Sequence, residues 1–285
     1  RAMGLLDHLF GRGRRVTEDN ATVELTAPKS PALRVGNVQG LGARERQEDS
    51  FAICNASDRE ALERQGLFAV VCDGMGGMAD GNDASEAAVE AMVQLFRSLL
   101  EEGDVPRQLR EGVLAVSDGI FQRFQGRSGT TAVAVRILGQ ELHWLSVGDS
   151  AIFLKRGECV FQLNREHTCL NDLYLQELRR EPIQKERAEQ DEDARRLTAF
   201  VGMDRLSRVD QSLRPWRLKP GDVILLCSDG ISGVLTTPEL KEAMSLPPDE
   251  GCHLLETMVG EKALPAQDNY TGVLIAYQSD KTGER

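Results

Sequence analysis

The sequence lacks a basic excess. Its 34 Lys and Arg are outnumbered by 45 Asp and Glu, and the formal charge is −11. That balance argues against a general nucleic-acid binder and against docking on an anionic membrane. No apolar stretch is long enough to span a bilayer. The N-terminal run Gly4-Leu5-Leu6-Asp7-His8-Leu9-Phe10 is too short and interrupted for a signal peptide. Six cysteines (Cys54, Cys72, Cys159, Cys169, Cys227 and Cys252) are scattered without C-x-x-C spacing, which disfavours both a disulfide framework and a zinc site and suits a reducing cytoplasm. Phosphate-binding P-loops and G-x-S-x-G nucleophile elbows are missing. So are internal repeats and any long linker that would divide residues 33–278.

What is present is a recurring pattern of acids at the ends of apolar runs. Residues 67–72, Leu-Phe-Ala-Val-Val-Cys, are wholly apolar and stop at Asp73, followed by Gly74, Gly76 and Gly77. Such a run reads as a strand buried on both faces, and a carboxylate at its end is costly unless a cation or several donors meet it. Residues 223–228 end likewise in Asp229-Gly230, and Val147-Gly148 is followed by Asp149. Asp49 and Asp268 stand at the other polarity, just before apolar strands.

Taken in order, residues 1–32 read as a tail and linker, polar from residue 16 with Pro28 and Pro31. Strands are expected at 33–38, 50–54 and 67–72. Asp83-Ala84-Ser85-Glu86 has capping-box spacing and opens an amphipathic helix to about residue 100; a second helix covers 107–124. Strands at 130–138, 141–147, 151–155 and 159–163, separated by Gly139, Gly148 and Gly157, suggest antiparallel hairpins. The charged stretch from 164 to 196 reads as a surface insertion with one helix near 170–179. His167 within it is open to two roles, a ligand or, more commonly, a hydrogen bond to a loop. Strands at 213–218, 223–228 and 270–277 enclose helices at 238–244 and 251–262, and residues 279–285 form a polar tail.

In an antiparallel sheet, carboxyl and amino strand ends lie side by side, so all five acids can face one cleft. Several carboxylates together raise one another's pKa unless a cation neutralises them. Hard divalent ions with oxygen ligands, Mg²⁺ or Mn²⁺, are the natural partners, and metal-assisted phosphate ester hydrolysis is chemistry such a site can perform.

The ordered set of Arg44…Glu48-Asp49, residues 71–77 (Val-Cys-Asp-Gly-Met-Gly-Gly), Ser128-Gly129-Thr130-Thr131, Val147-Gly148-Asp149-Ser150, Glu166-His167-Thr168, residues 226–230 (Leu-Cys-Ser-Asp-Gly) and Asp268-Asn269-Tyr270-Thr271 resembles the metal-dependent serine/threonine protein phosphatases of the protein phosphatase 2C type, in their bacterial form. The resemblance spans nearly all of residues 33–278. It implies an α+β fold, a four-layer α-β-β-α sandwich of two antiparallel sheets flanked by helix pairs. It implies two Mn²⁺ or Mg²⁺ ions, with Asp73 bridging both, the Gly74 carbonyl on one, and Asp229 and Asp268 on the other. Glu48 and Asp49 would hold metal-bound waters, with direct ligation by Asp49 an alternative. Arg44 would bind the substrate phosphate, and residues 168–196 would form a flap beside the site.

Two departures stand out. Four residues after Asp229, where family members often carry an acid that helps bind a third metal, this chain has Gly233. Asp149 remains as a ligand for a weakened third site. The arginine usual after Gly-Asp-Ser is Ala151. The implied activity is removal of phosphate from phosphoserine and phosphothreonine in proteins by a metal-bridged water, opposing a cognate serine/threonine kinase, in a cytoplasmic monomer that binds no nucleic acid. The competing readings are a metal-dependent phosphatase of small esters and an inactive regulatory protein of the same fold.

Overall fold

Alternation within wholly apolar strands sets the layers. Leu67, Ala69 and Val71 pack with one set of apolar side chains, and Phe68, Val70 and Cys72 with another. A strand apolar on both faces needs a cover on each. In the computed structural model, which describes residues 32–76, 80–99 and 103–278, one cover is a second sheet and the other a pair of helices. The expected tails before residue 32 and from 279 to 285 lie outside the described residues.

With strands and helices numbered along the chain, the first sheet runs β1 (Ala32–Gly40), β12 (Tyr270–Gln278), β11 (Val223–Cys227), β7 (Ala151–Arg156), β8 (Cys159–Gln162). The second runs β10 (Trp216–Arg217), β6 (Glu141–Val147), β5 (Ala132–Leu138), β3 (Leu67–Gly76), β2 (Asp49–Cys54). There β4 (Ser128–Thr130) prolongs the pairing along β3, and β9 (Asp210–Gln211) pairs with β6. Every pairing is antiparallel. Between the sheets lie Leu67, Val133, Leu142, Ile224, Leu226 and Ile275 with their neighbours. Helices α2 (Asp80–Ser98) and α3 (Val105–Phe124) cover the second sheet through Ala88, Met92, Phe96, Leu109 and Val113. Helices α7 (Thr237–Ala243) and α8 (Pro248–Glu261) cover the first through Leu240, Cys252, Leu255 and Val259. This is the expected four-layer α-β-β-α sandwich.

Several local expectations are corrected. Helix α2 begins at Asp80, so the expected capping box at Asp83 is not its start. Glu86 is engaged instead by Asn82 Nδ2 at 3.3 Å, a within-helix i,i+4 contact. The strand expected at 213–218 is reduced to Trp216–Arg217 on the sheet edge, because Pro215 has no N–H to offer a ladder. The turn at Gly148 is not a hairpin. Strand β6 belongs to the second sheet and β7 to the first, so the chain crosses between layers there, with Gly148 at φ +101°. Short helices α1 (Arg59–Gln65), α5 (Lys185–Glu189) and α6 (Asp229–Ser232) carry too little apolar periodicity to be read from the sequence. The insertion holds α4 (Cys169–Glu177) and is not only a solvated face. Glu177 is buried in it and accepts from Arg187 Nη1 at 2.8 Å, Gln184 N at 3.1 Å and Arg180 Nη1 at 3.2 Å.

One charged staple fixes the pole of the sandwich opposite the acids. Asp222, 1% exposed, receives Arg156 Nε at 2.8 Å and Nη2 at 2.6 Å, and also Lys219 N at 2.8 Å. Removing the guanidinium leaves a buried carboxylate short of a counter-charge. Because Arg156 is itself partly exposed, solvent offsets part of the loss. Arg156→Met is expected to lower unfolding free energy by about 2 kcal/mol in urea titrations while leaving turnover intact; an unchanged midpoint would show that the pair is idle.

Candidate active site at the rim of the inter-sheet layer

At one end of the inter-sheet layer the apolar side chains give way to a polar row on each sheet. Alternation carries the inward face of β3 from Val71 to Asp73 and that of β2 from Phe51 to Asp49. The β2–β3 register sets Asp49 opposite Asp73, and the pairs Val71↔Val133 and Gly74↔Thr130 set Thr131 opposite Asp73 on the other side. On the facing sheet the same level holds Thr271, Ser228 and Ser150.

Short hydrogen bonds tie the two rows. Ser228 Oγ donates to Asp49 Oδ2 at 2.7 Å and receives Thr271 N at 3.0 Å. Thr131 Oγ1 and Ser150 Oγ are 2.7 Å apart, and Asp73 N donates to the same Thr131 oxygen at 3.0 Å. The Asp73 carbonyl receives Thr131 N and Thr130 Oγ1, each at 2.8 Å. The backbone around Asp73 is therefore fully bonded, while its carboxyl is left for the cleft.

Above this floor is an open cleft of about 310 Å³ lined by Arg44, Glu48, Asp73, Gly74, Asp149, Asp229 and Asp268, with Met75, Thr131, Leu197 and Asn269. The structure thus brings together all the candidate residues except Asp49. That carboxylate is 3% exposed and lies behind the cleft wall, held by Ser228. Arg44 is already engaged, its Nη2 2.6 Å from Asp268 Oδ2, and both groups are substantially exposed.

Sequence reasoning assigned no role to Asn269, Ser228 or Thr131. Asn269 Oδ1 receives Glu48 N at 2.8 Å and its Nδ2 donates to Leu41 O at 2.9 Å, so it fixes the loop carrying Arg44 and Glu48. Asn269 and Ser228 stand beside Asp268 and Asp229 in sequence, and that adjacency was the available signal; Thr131 has no neighbouring acid and meets Asp73 only through strand register. His167 takes the structural role: Gly148 N donates to its Nδ1 at 3.1 Å, and its own N donates to Gly148 O at 2.8 Å. The pair clamps the crossover that carries Asp149. Gly74 lies where only glycine fits, since a Cβ there would stand 2.2 Å from Gly81 O and 2.6 Å from Glu48 O.

Burial and crowding push the acids toward their protonated forms. Asp149 rises to about 7, mainly from burial, with Asp229 and Glu166 adding to it. Asp49 rises to about 6, again from burial, with Ser228 and Thr271 pulling back and Asp229 and Asp268 pushing up. Asp73 stands well above the carboxylate range through burial and the charges of Asp49, Asp229, Asp149 and Asp268. Asp229 is raised by burial and by Asp268, and its Oδ1 is buried without a hydrogen-bond partner.

A bare buried carboxylate oxygen beside three other acids is a donor set suited to hard divalent ions. Among the described residues, no three His, Cys, Asp or Glu side chains are already drawn together closely enough to hold a metal ion by themselves. Mg²⁺-type sites need no such cluster, since one or two carboxylates combine with carbonyls and waters. The chemistry of this donor set therefore suits divalent cations in an open site.

These raised values make folding take up protons between about pH 4 and 7, so the metal-free protein loses stability as pH rises through that window. Asp149→Asn removes one contributor. In EDTA it is expected to be more stable than the parent by on the order of 1–3 kcal/mol at pH 7.5 and equal to it near pH 4. Calorimetry at the two pH values checks this, and a gap that does not widen with pH would sink the account.

Comparison with known proteins agrees with this geometry. The family profile described as protein phosphatase 2C matches residues 42–263. Serine/threonine phosphatase stp of Listeria monocytogenes is 27% identical over 209 residues, covering 70% of this chain and 78% of its own length. The crystal structure of the Mycobacterium tuberculosis serine/threonine phosphatase PstP/Ppp superposes with a TM-score of 0.70 at 25% identity, over 86% of this chain and 99% of that one. The PstP catalytic domain in complex with two manganese ions shares the fold, with a TM-score of 0.66 at 24% identity over 88% of this chain and 100% of that one. A match of this extent, over residues that include the cleft from Arg44 to Asp229, places the chain in the protein phosphatase 2C family.

Proposed function

We propose that this serine/threonine phosphatase hydrolyses phosphoserine and phosphothreonine in proteins at the carboxylate cleft, with two divalent metal ions. The observation that carries the metal reading is the buried, unpartnered Asp229 Oδ1 among Asp73, Asp149 and Asp268. The manganese-bound PstP domain supports the choice of ions; Mg²⁺ has the same oxygen preference. Bound there, the ions would supply a water ionised at neutral pH and Lewis-acid neutralisation of the phosphoryl oxygens.

Asp73, the Gly74 carbonyl, Asp229 and Asp268 would hold the ions, with Asp73 shared between the two. Glu48 and Asp49 would orient the attacking water; Asp49, held by Ser228, acts from behind the wall. Arg44 would bind the phosphate as a two-pronged donor. Its pairing with Asp268 keeps the guanidinium at the cleft mouth and means that it exchanges a carboxylate for the phosphate. Asp149 would hold a weaker third ion. Residues 168–196, adjoining the cleft wall at Leu197, would act as the flap. Among the described residues no helix is long and apolar enough to cross a membrane. We place the protein in the cytoplasm as a monomer opposing a kinase.

With Mn²⁺ the purified protein is expected to hydrolyse both an aryl phosphate and a phosphothreonine peptide. Asp73→Asn and Asp229→Asn should each cost about a thousandfold in kcat, since several kcal/mol of charge stabilisation would be lost. Activity undiminished in EDTA would overturn the metal reading, and cleavage of the aryl ester alone would favour a small-ester phosphatase. Arg44→Ala should act chiefly through KM, raising it about tenfold; equal loss in kcat would assign Arg44 to the transition state.

A further inference from the structure

A second cavity, of about 350 Å³, lies beside the cleft between the start of α3, helix α4 and residues 207–210. A single wall separates the two. Thr168, bridged to Leu197, lines this cavity, while Leu197 lines the cleft. Three arginines line it, Arg110, Arg165 and Arg208.

Arg208 is committed to Asp172 at 2.9 Å and to Thr198 Oγ1 at 3.1 Å. The other two are not committed to any acid among the described residues. Arg110 reaches only the carbonyls of Val209 and Ser207, at 3.4 and 3.5 Å, and the Arg165 guanidinium forms no ion pair among the described residues. His167 adds a neutral donor. With Nδ1 accepting from Gly148 N, the ring carries its proton on Nε2, and burial holds its pKa below the usual histidine value.

The cavity's own acids are occupied. Asp210 Oδ2 takes Arg165 N at 2.6 Å, Asp172 takes Arg208, and Glu166 Oε1 takes Gln162 Nε2 at 3.0 Å. The three guanidiniums and three carboxylates balance in formal charge, and what the wall offers an incoming carboxylate is the two guanidiniums, Arg110 and Arg165, that no acid among the described residues engages. On a chain of net charge −11, this is a place where an anion finds donors without a repelling surplus.

We infer that this cavity is a specificity subsite that takes an aspartate or glutamate side chain of the substrate protein, flanking the phosphorylated residue in the cleft. The inference rests on the phosphatase reading and adds to it a preference for acidic sequence on one side of the phosphosite. Arg110 and Arg165 bind the carboxylate in ground and transition states alike, so the preference lies in KM.

The test uses the full chain with Mn²⁺ and phosphothreonine peptides in which a single glutamate is walked along both flanks of an alanine background. At one flank position, glutamate should lower KM about tenfold, the worth of one charge-assisted contact. Raising the salt concentration should erase the difference. Arg110→Gln with Arg165→Gln should remove the preference while leaving the alanine peptide and an aryl phosphate unaffected, and Arg165→Lys should restore part of it. A parent enzyme indifferent to glutamate at every position, or a preference that survives in the double variant, overturns the subsite. Equal loss on all substrates in the double variant assigns the arginines to folding and overturns it as well. Failure of the parent on the aryl phosphate removes the phosphatase reading and this inference together.

Discussion

The structure depends on one unfavourable arrangement: carboxylates on adjacent strands, Asp49 opposite Asp73, both inward at the rim of a dry layer. Like charges this close in a poorly solvated place repel strongly, and nothing apolar can be gained from them. The surrounding fold is arranged to hold them regardless. Serine and threonine hydroxyls from both sheets occupy the next positions, and the Ser228–Asp49 and Thr131–Ser150 contacts sew the sheets together where hydrophobic packing ends. The core supplies the stability that the rim lacks: a continuous inter-sheet layer and two helix-facing clusters lie below it. Local strain at a functional site sustained by the rest of the fold is a common pattern, and here it takes the form of crowded, buried carboxyls whose ionisation is costly.

Much of this was legible in the sequence because the pattern is doubly encoded. Wholly apolar runs at 67–72 and 223–227 announce strands covered on both faces, and the acid ending each run marks the rim. Asp49 and Asp268, at strand starts, could be placed at the same rim from antiparallel geometry alone. Alternation does not reveal depth, however. Nothing in Gln47-Glu48-Asp49 says that Glu48 lines the cleft while Asp49 is buried behind it, because that depends on partners from distant strands: Ser228 holds the Asp49 carboxyl and Asn269 holds the backbone of Glu48. Helices α1 and α6 were invisible for a different reason. One is amphipathic only weakly and buries no side chain, and the other is a single turn begun by Asp229 itself.

The crossover at Gly148 shows how tertiary context overrides a sound local reading. A glycine between two short strands reads as a hairpin, yet the strands belong to different sheets. The consequence is functional. A hairpin would have left Asp149 at the tip of one sheet, whereas the crossover sets it at the junction of both. There burial, with Asp229 and Glu166 adding to it, raises its pKa, and His167 locks the backbone on either side of Gly148. The charged insertion is connected to the site through this same lock, since His167 opens the segment whose bridge at Thr168–Leu197 forms the cleft wall.

The two departures from the family pattern have different structural weight. Ala151 is fully buried opposite Cys227 in the cluster under α7 and α8, so its small side chain belongs to core packing and the cleft does not include it. Gly233 belongs to the site's own scaffold. Its N–H closes the turn on Asp229 O at 2.7 Å, and a Cβ at that position would stand 2.8 Å from the same oxygen. Any side chain, acidic or not, would have to move the turn that aims Asp229. Gly233 thus belongs to the closed turn that carries Asp229, and in the proposed reading a third ion would have Asp149 alone.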